Sequence, residues 1–199
     1  MIWFHDDENE QQKEESDKAP KGITESMLES RTILISEPIN SKLASRVISQ
    51  LLVLADRDPE APIKVFLNTP GGGADDGFAI MDMIRFVSCP VYTISAGLTA
   101  SAGVIILLGA KKENRLSLPN SRIMIHQPST GIQGTATDIH ITAQEILKLR
   151  KRANQLIADE TGQSLEKVEQ DTERDYWLSP EEALEYGLIG RIVRNSAEI

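Results

Sequence analysis

From residue 32 to residue 126, short apolar runs alternate with stretches of helical spacing, and this alternation narrows the fold more than any other feature. TILISE (32–37) reads as a strand, and NSKLASRVISQLLVLAD (40–56) follows with apolar residues at Leu43, Val47, Leu51 and Leu54. IKVFLN (63–68) is a strand and DGFAIMDMIRFV (76–87) a helix. PVYTISA (90–96) is a strand, residues 101–110 form a helix, and RIMIH (122–126) is a strand stopped by Pro128. Strands this short and apolar, separated by helices, predict an α/β domain with parallel strands and crossover connections. With 199 residues the chain has the length of a single domain.

The last third has a different rhythm. Residues 135–160 carry one long helical pattern closed by Gly162, with apolar residues at Ile139, Ala143, Ile146, Leu149, Ala153, Leu156 and Ile157. A helix this long exceeds the need of a small domain. It is either a solvated surface helix or one whose stripe packs against another subunit. Ser179-Pro180-Glu181-Glu182 is a capping box with proline at the first helical position. Gly187 closes that helix, and LIGRIV (188–193) reads as a final strand.

Charge and cysteine content exclude several classes. Thirty acidic residues against twenty-one basic ones give a net charge of −9. That balance does not suit binding to nucleic acid through its phosphates. Residues 1–30 hold nine acids and three bases, so most of the excess is N-terminal. Residues 1–22 read as an acidic, disordered tail and 23–199 as the folded domain. The lone Cys89 rules out an internal disulfide and reads as a buried thiol. His5, His126 and His140 are too scattered for a metal site, and no metal or cofactor is expected. Phe86 to Ala110 is uncharged for 25 residues, but its proline, glycines and hydroxyls break it up as a membrane span. The start, MIWFHDDENE, lacks the basic region of a secretory signal. A cytoplasmic protein with no membrane partner is expected.

Four local features could carry chemistry. Asn68-Thr69-Pro70-Gly71-Gly72-Gly73 follows a strand, and its glycines permit positive φ and expose backbone N–H groups. It is either a tight structural turn or an oxyanion site. Gly97-Leu98-Thr99-Ala100-Ser101-Ala102-Gly103 joins a strand to a helix; Ser101 there is either an N-cap or a nucleophile. His126 ends a buried strand, as a satisfied core residue or as a base. DTERD (171–175) precedes Tyr176 and Trp177. It is either solvated surface or the source of an orienting carboxylate, for which Asp175 is better placed than Asp171. Taken together they describe one mechanism. Ser101 is the nucleophile, His126 the general base and Asp175 the orienting acid, while the Gly72 and Ala102 amides hold the oxyanion.

Several longer motifs occur in order: NTPGG, SAGLTASAG, LPNSRIMIHQP, GTATDI and TGQSLEKVEQDTERDYWLSPEEALEYGLI. In these the chain, from about residue 31 to 194, resembles ClpP, the proteolytic subunit family of the Clp proteases. The resemblance implies a crotonase/ClpP-like ββα spiral, with 135–160 as a protruding handle helix. It carries the catalytic roles to Ser101, His126 and Asp175 and the oxyanion amides to Gly72 and Ala102. All three triad residues are present, unlike in the family's inactive paralogues. Glu173 and Arg174 match an inter-ring contact. The implied assembly is two stacked heptameric rings that degrade unfolded polypeptides delivered by an ATP-driven unfoldase of the ClpX, ClpA or ClpC type. ATP is then used by that partner and not by this chain. Two departures stand out. The family's axial loop and YDIYSRLL-like motif are replaced by the acidic tail and TESMLESRTI, and Lys64 replaces an aromatic residue at the rim where the unfoldase docks. They admit a second reading, a weakly active or structural paralogue in a mixed assembly. A third, more remote, is an acyl-CoA enzyme of the crotonase type, which would share the spiral.

Overall fold

A computed structural model describes residues 22–199 of the protein. The tail expected over 1–22 therefore lies, but for Gly22, outside the described residues, as does His5. Helix α1 (Ile23–Glu29) leads into strand β1 (Thr32–Ile35). The Asn40 side chain accepts from the Leu43 N–H and so starts α2 (Ser41–Arg57). Then come β2 (Ile63–Thr69), α3 (Ala74–Phe86), β3 (Val91–Ala100) and the short α4 (Ala102–Leu107). Two strands, β4 (Arg115–Ser117) and β5 (Arg122–Ile125), precede α5 (Ala136–Thr161). The chain ends with α6 (Leu165–Asp171), β6 (Tyr176–Leu178), α7 (Pro180–Tyr186) and β7 (Arg191–Ile192).

The sheet has seven strands, and its long path runs β1-β2-β3-β4-β7, all parallel. Strand β3 is longer than its apolar run because it serves two partners in turn. Its first half pairs with β4, from Thr93 opposite Arg115 to Ser95 opposite Ser117. Its second half pairs with β5, from Leu98 opposite Arg122 to Ala100 opposite Met124. Between the halves stands Gly97 at φ +106°, where a Cβ would lie 2.8 Å from the Asn68 side chain. The sheet forks at this glycine. Strand β6 then adds antiparallel to β5 and forms the open edge of that branch.

Helices α2, α3 and α4 cover one face of the sheet around a core that includes Ile35, Val47, Leu51, Leu67, Ile80 and Ile106. Cys89 is buried there as a free thiol. Two arginines tie distant parts together. Arg31, at φ +54°, donates to the carbonyls of Leu54, Asp58, Ala61 and Pro62 and closes the end of α2. Arg115 is 2% exposed and donates to the Ala110 carbonyl and to the Glu160 carboxylate, which also takes Arg85. Burial pushes the Arg115 pKa down, and Glu160 pulls it back up. These bonds fix the end of α5 against the sheet.

Several boundaries differ from the sequence expectation. The helix expected over 101–110 is cut to Ala102–Leu107, with Ser101 and Leu108 as its caps, and the strand expected over 90–96 runs on to Ala100. The strand expected over 188–193 shrinks to Arg191–Ile192, since Gly187 is the left-handed cap of α7 and Leu188 and Ile189 turn into the core. Helix α5 is divided. From Leu149 onward its stripe packs on the domain, whereas Ile139, Ile141 and Leu147 are 42%, 56% and 56% exposed. Its first half thus projects as a handle with apolar side chains facing outward.

Candidate active site

The strand register alone brings the site together. Ala100 stands opposite Met124, so the next residues, Ser101 and Ile125, are neighbours, and the Ser101 N–H donates to the Met124 carbonyl at 2.9 Å. Ile125 stands opposite Tyr176 on the antiparallel strand, which sets Asp175 beside His126. Thr69 stands opposite Thr99, which sets the glycine turn against the start of α4. Residues far apart in sequence therefore meet at one end of the forked sheet.

The contacts follow. His126 Nε2 lies 2.9 Å from Ser101 Oγ, and His126 Nδ1 lies 3.0 Å from Asp175 Oδ1. Ser101 occupies the N-cap position of α4 yet makes no capping bond with its side chain. Its backbone stands at φ +55°, ψ −121°, a conformation costly for any residue with a Cβ. That turn lifts Oγ away from the helix end and toward the imidazole. Ala102 opens the helix, and its N–H has no intrahelical acceptor.

The glycine turn closes the other side. The Ile39 N–H donates to the Gly71 carbonyl at 2.8 Å, and the Gly73 N–H donates to the Ile39 carbonyl at 2.9 Å. This pairing leaves the Gly72 N–H with no acceptor among the described residues. Gly71 and Gly72 stand at φ +93° and +146°. A Cβ on Gly71 would lie 2.7 Å from Ser101 Cβ, and one on Gly72 would lie 2.2 Å from the Ile39 carbonyl oxygen. Only glycine fits both positions.

Gly72, Ser101, Ala102 and His126 line an open cleft of about 540 Å³ whose far wall comes from α5, including Ile146 and Leu149. Its lining is mainly apolar, with polar groups converging at one end, as in a site for a peptide-sized ligand. A hydroxyl, an imidazole and a carboxylate in file can move one proton from the hydroxyl while the hydroxyl oxygen attacks. Two free amides beside that hydroxyl can bind a developing oxyanion.

The Asp175 side chain is 59% exposed, because it leads into β6, which is an edge strand among the described residues. Asp171, the other aspartate of the same motif, is engaged elsewhere: Tyr186 Oη donates to it at 2.9 Å and Lys167 Nζ at 2.6 Å. Burial, then the Asp171 carboxylate, holds the Tyr186 phenol well above its ordinary pKa. The Asp171 hydrogen bond raises that of Lys167. Glu173 pairs within the chain with Arg150 of α5 at 2.7 Å, while Arg174 is exposed. Sequence reasoning missed Gln127. Its N–H donates to the Thr172 carbonyl at 2.6 Å and its side chain to the Glu173 carbonyl at 2.8 Å. No local spacing signals such contacts across some 45 residues. His140 lies exposed on α5, away from the relay. Among the described residues no three His, Cys, Asp or Glu side chains converge as a metal site, and no helix is long and apolar enough to cross a membrane.

Fold and site together define a class, an α/β domain with a serine–imidazole–carboxylate relay and free amides at the mouth of an apolar cleft. The family described as Clp protease matches residues 14–196. Over 193 residues the chain is 48% identical to the ATP-dependent Clp protease proteolytic subunit 2 of Treponema pallidum, covering 97% of each chain. It is 46% identical over 193 residues to proteolytic subunit 3 of Rhizobium etli, covering 96% of this chain and 99% of that one. A solved ClpP1 point mutant from Listeria monocytogenes superposes with a TM-score of 0.81 at 45% identity, over 87% of this chain and 97% of that one. The chain belongs to the Clp protease family and is a proteolytic subunit.

Proposed function

We propose that the protein is a serine endopeptidase in which Ser101 is the nucleophile, His126 the general base and Asp175 the orienting carboxylate. The observation that carries this reading is the unbroken file from Ser101 Oγ through His126 to Asp175, at 2.9 and 3.0 Å, on a serine held at positive φ. Ser101 Oγ attacks the peptide carbonyl carbon as His126 Nε2 takes its proton. The Gly72 and Ala102 amides hold the resulting oxyanion. Collapse breaks the C–N bond, and the imidazolium gives its proton to the departing amine. Water, deprotonated by His126, then releases the acyl group from Ser101. Asp175 keeps the imidazole in the tautomer with its proton on Nδ1. The chain itself needs no metal or cofactor for these steps.

The working form in this reading is a chamber of two stacked heptameric rings in the cytoplasm. The projecting apolar half of α5, and Glu173 and Arg174 at the open edge, supply its ring-to-ring contacts. Substrates are unfolded polypeptides fed by a Clp-type ATPase, in keeping with the relatives' description as ATP-dependent. The direct test is labelling of the purified assembly with a fluorophosphonate, read by intact mass. One adduct per chain, absent in Ser101→Ala, is expected together with loss of peptide hydrolysis on an unchanged assembly. Hydrolysis that persists in Ser101→Ala refutes the assignment.

A further inference from the structure

We propose that Asn154, on α5, is a positioning residue for the Asp175 carboxylate and acts through the hydroxyl of Thr172. The inference rests on the reading of Asp175 as the orienting carboxylate. Asp175 is largely exposed, and its one described side-chain hydrogen bond goes to His126. Its position is therefore set by the backbone that delivers it, residues 172–174. That backbone is gripped from two sides. On one side Gln127, next to His126, binds the carbonyls of Thr172 and Glu173. On the other side are Arg150 and Asn154, one turn apart on the same face of α5.

The two contacts from α5 differ in weight. The Arg150–Glu173 pair is 30% and 57% exposed, and an ion pair so wet contributes little. Asn154 and Thr172 are 1% and 0% exposed, with 3.0 Å between Asn154 Oδ1 and Thr172 Oγ1. In so dry a place a hydrogen bond is strong, and losing either partner strands the other. Thr172 Oγ1 also donates to the Val168 carbonyl at 2.7 Å. One hydroxyl hydrogen cannot serve two acceptors. Asn154 Nδ2 is meanwhile the one buried side-chain polar atom without a partner among the described residues. Turning the Asn154 amide over resolves the first fact, and Oδ1 then takes the place of Nδ2 as the buried atom without a partner among the described residues. The hydroxyl then gives its hydrogen to Val168 and receives one from Nδ2. The result is a continuous chain, Asn154 to Thr172 to Val168, that locks the last turn of α6. Three residues further on stands Asp175. The same helix whose far half projects from the domain thus sets the carboxylate of the relay.

The test is the rate of fluorophosphonate labelling of Ser101 in the assembled full-length protein. It compares wild type, Asn154→Ala, Thr172→Val and Thr172→Ser, with Asn154→Ala also made on an Asp175→Ala background. Asn154→Ala and Thr172→Val are expected to slow labelling roughly ten- to a hundredfold, the cost of a small misplacement in a relay. In peptide hydrolysis they lower kcat and leave KM unchanged. Thr172→Ser keeps the hydroxyl and restores the rate. On the Asp175→Ala background Asn154→Ala has no further effect, which a merely structural role would not produce. Should Asn154→Ala fail to assemble, the Thr172→Val and Thr172→Ser pair carries the comparison. A wild-type rate for Asn154→Ala beside a slow Asp175→Ala overturns the inference alone, as does equal slowing on both backgrounds. A wild-type rate for Asp175→Ala removes the reading of Asp175 and the inference with it.

Discussion

Replacing Gly72 by alanine tests the assignment of its amide as an oxyanion donor. The new Cβ would lie 2.2 Å from the Ile39 carbonyl oxygen, 2.8 Å from the Ile39 nitrogen and 3.0 Å from the Ile39 carbonyl carbon, all backbone atoms of a buried residue. Ordinary contact begins near 3.4 Å, so the turn must move by about an ångström away from Ile39. Movement in that direction carries the Gly72 amide out of line with Ala102. The φ of +146° adds strain of about 1–3 kcal/mol, which lowers stability without unfolding a well-packed domain. Loss of one oxyanion donor lowers kcat by roughly 10²–10³, about 3–4 kcal/mol of transition-state stabilisation. KM should change little, because the donor acts on charge that develops only in the transition state. The assay is kcat and KM on a fluorogenic peptide, with assembly checked by size. Gly131→Ala is the control, since a Cβ there meets nothing within 4 Å. An assembled Gly72→Ala protein with kcat within about threefold of wild type would refute the assignment of this amide.

Two further predictions concern what holds the site in place. Glu160→Ala leaves Arg115 buried without its carboxylate, so the variant should lose about 3 kcal/mol in chemical denaturation; an unchanged midpoint would show the pair to be dispensable. Tyr186 is held in its neutral form in the folded chain, with its pKa raised above the unfolded value near 10. Its contribution is therefore complete below about pH 10 and is lost as pH rises further. Urea midpoints measured from pH 8 to 11 should fall less steeply at the alkaline end in Tyr186→Phe than in wild type, and parallel curves would contradict the burial argument.

Much of the architecture can be read from local pattern. The strands and helices from Thr32 to Phe86 obey simple periodicity, and the capping boxes and terminal glycines of α5 and α7 mark their ends chemically. What escapes is short or shared. Strands β4 and β6 have three residues each, too few to show a period, and β4 begins with a buried arginine. Strand β3 runs past its apolar stretch through Gly97-Leu98-Thr99-Ala100, which looks like a loop until a second partner strand is known. Ser101 carries the N-cap position a serine usually holds, and only its φ and unused capping bond distinguish it. The glycine turn is legible as permissive backbone, but its need for glycine comes from Ile39 at Gly72 and from Ser101 at Gly71, both distant in sequence.

The exposure of Asp175 follows from the same fork that builds the site. Register requires β6 to lie outside β5 for Asp175 to face His126, and β6 then ends the sheet. An orienting carboxylate on an open edge loses strength to water, and an uncovered strand edge invites pairing. Tyr176 and Trp177 on that strand are 37% and 43% exposed, and the outward half of α5 shows Ile139, Ile141 and Leu147. Among the described residues nothing covers either surface. In the proposed double ring both lie where another copy covers them, so assembly would dry the Asp175–His126 bond as it forms the chamber. The labelling rate of Ser101 should therefore rise with the fraction of assembled protein in a dilution series. A rate that stays constant as the assembly dissociates would show the relay to be complete within one chain.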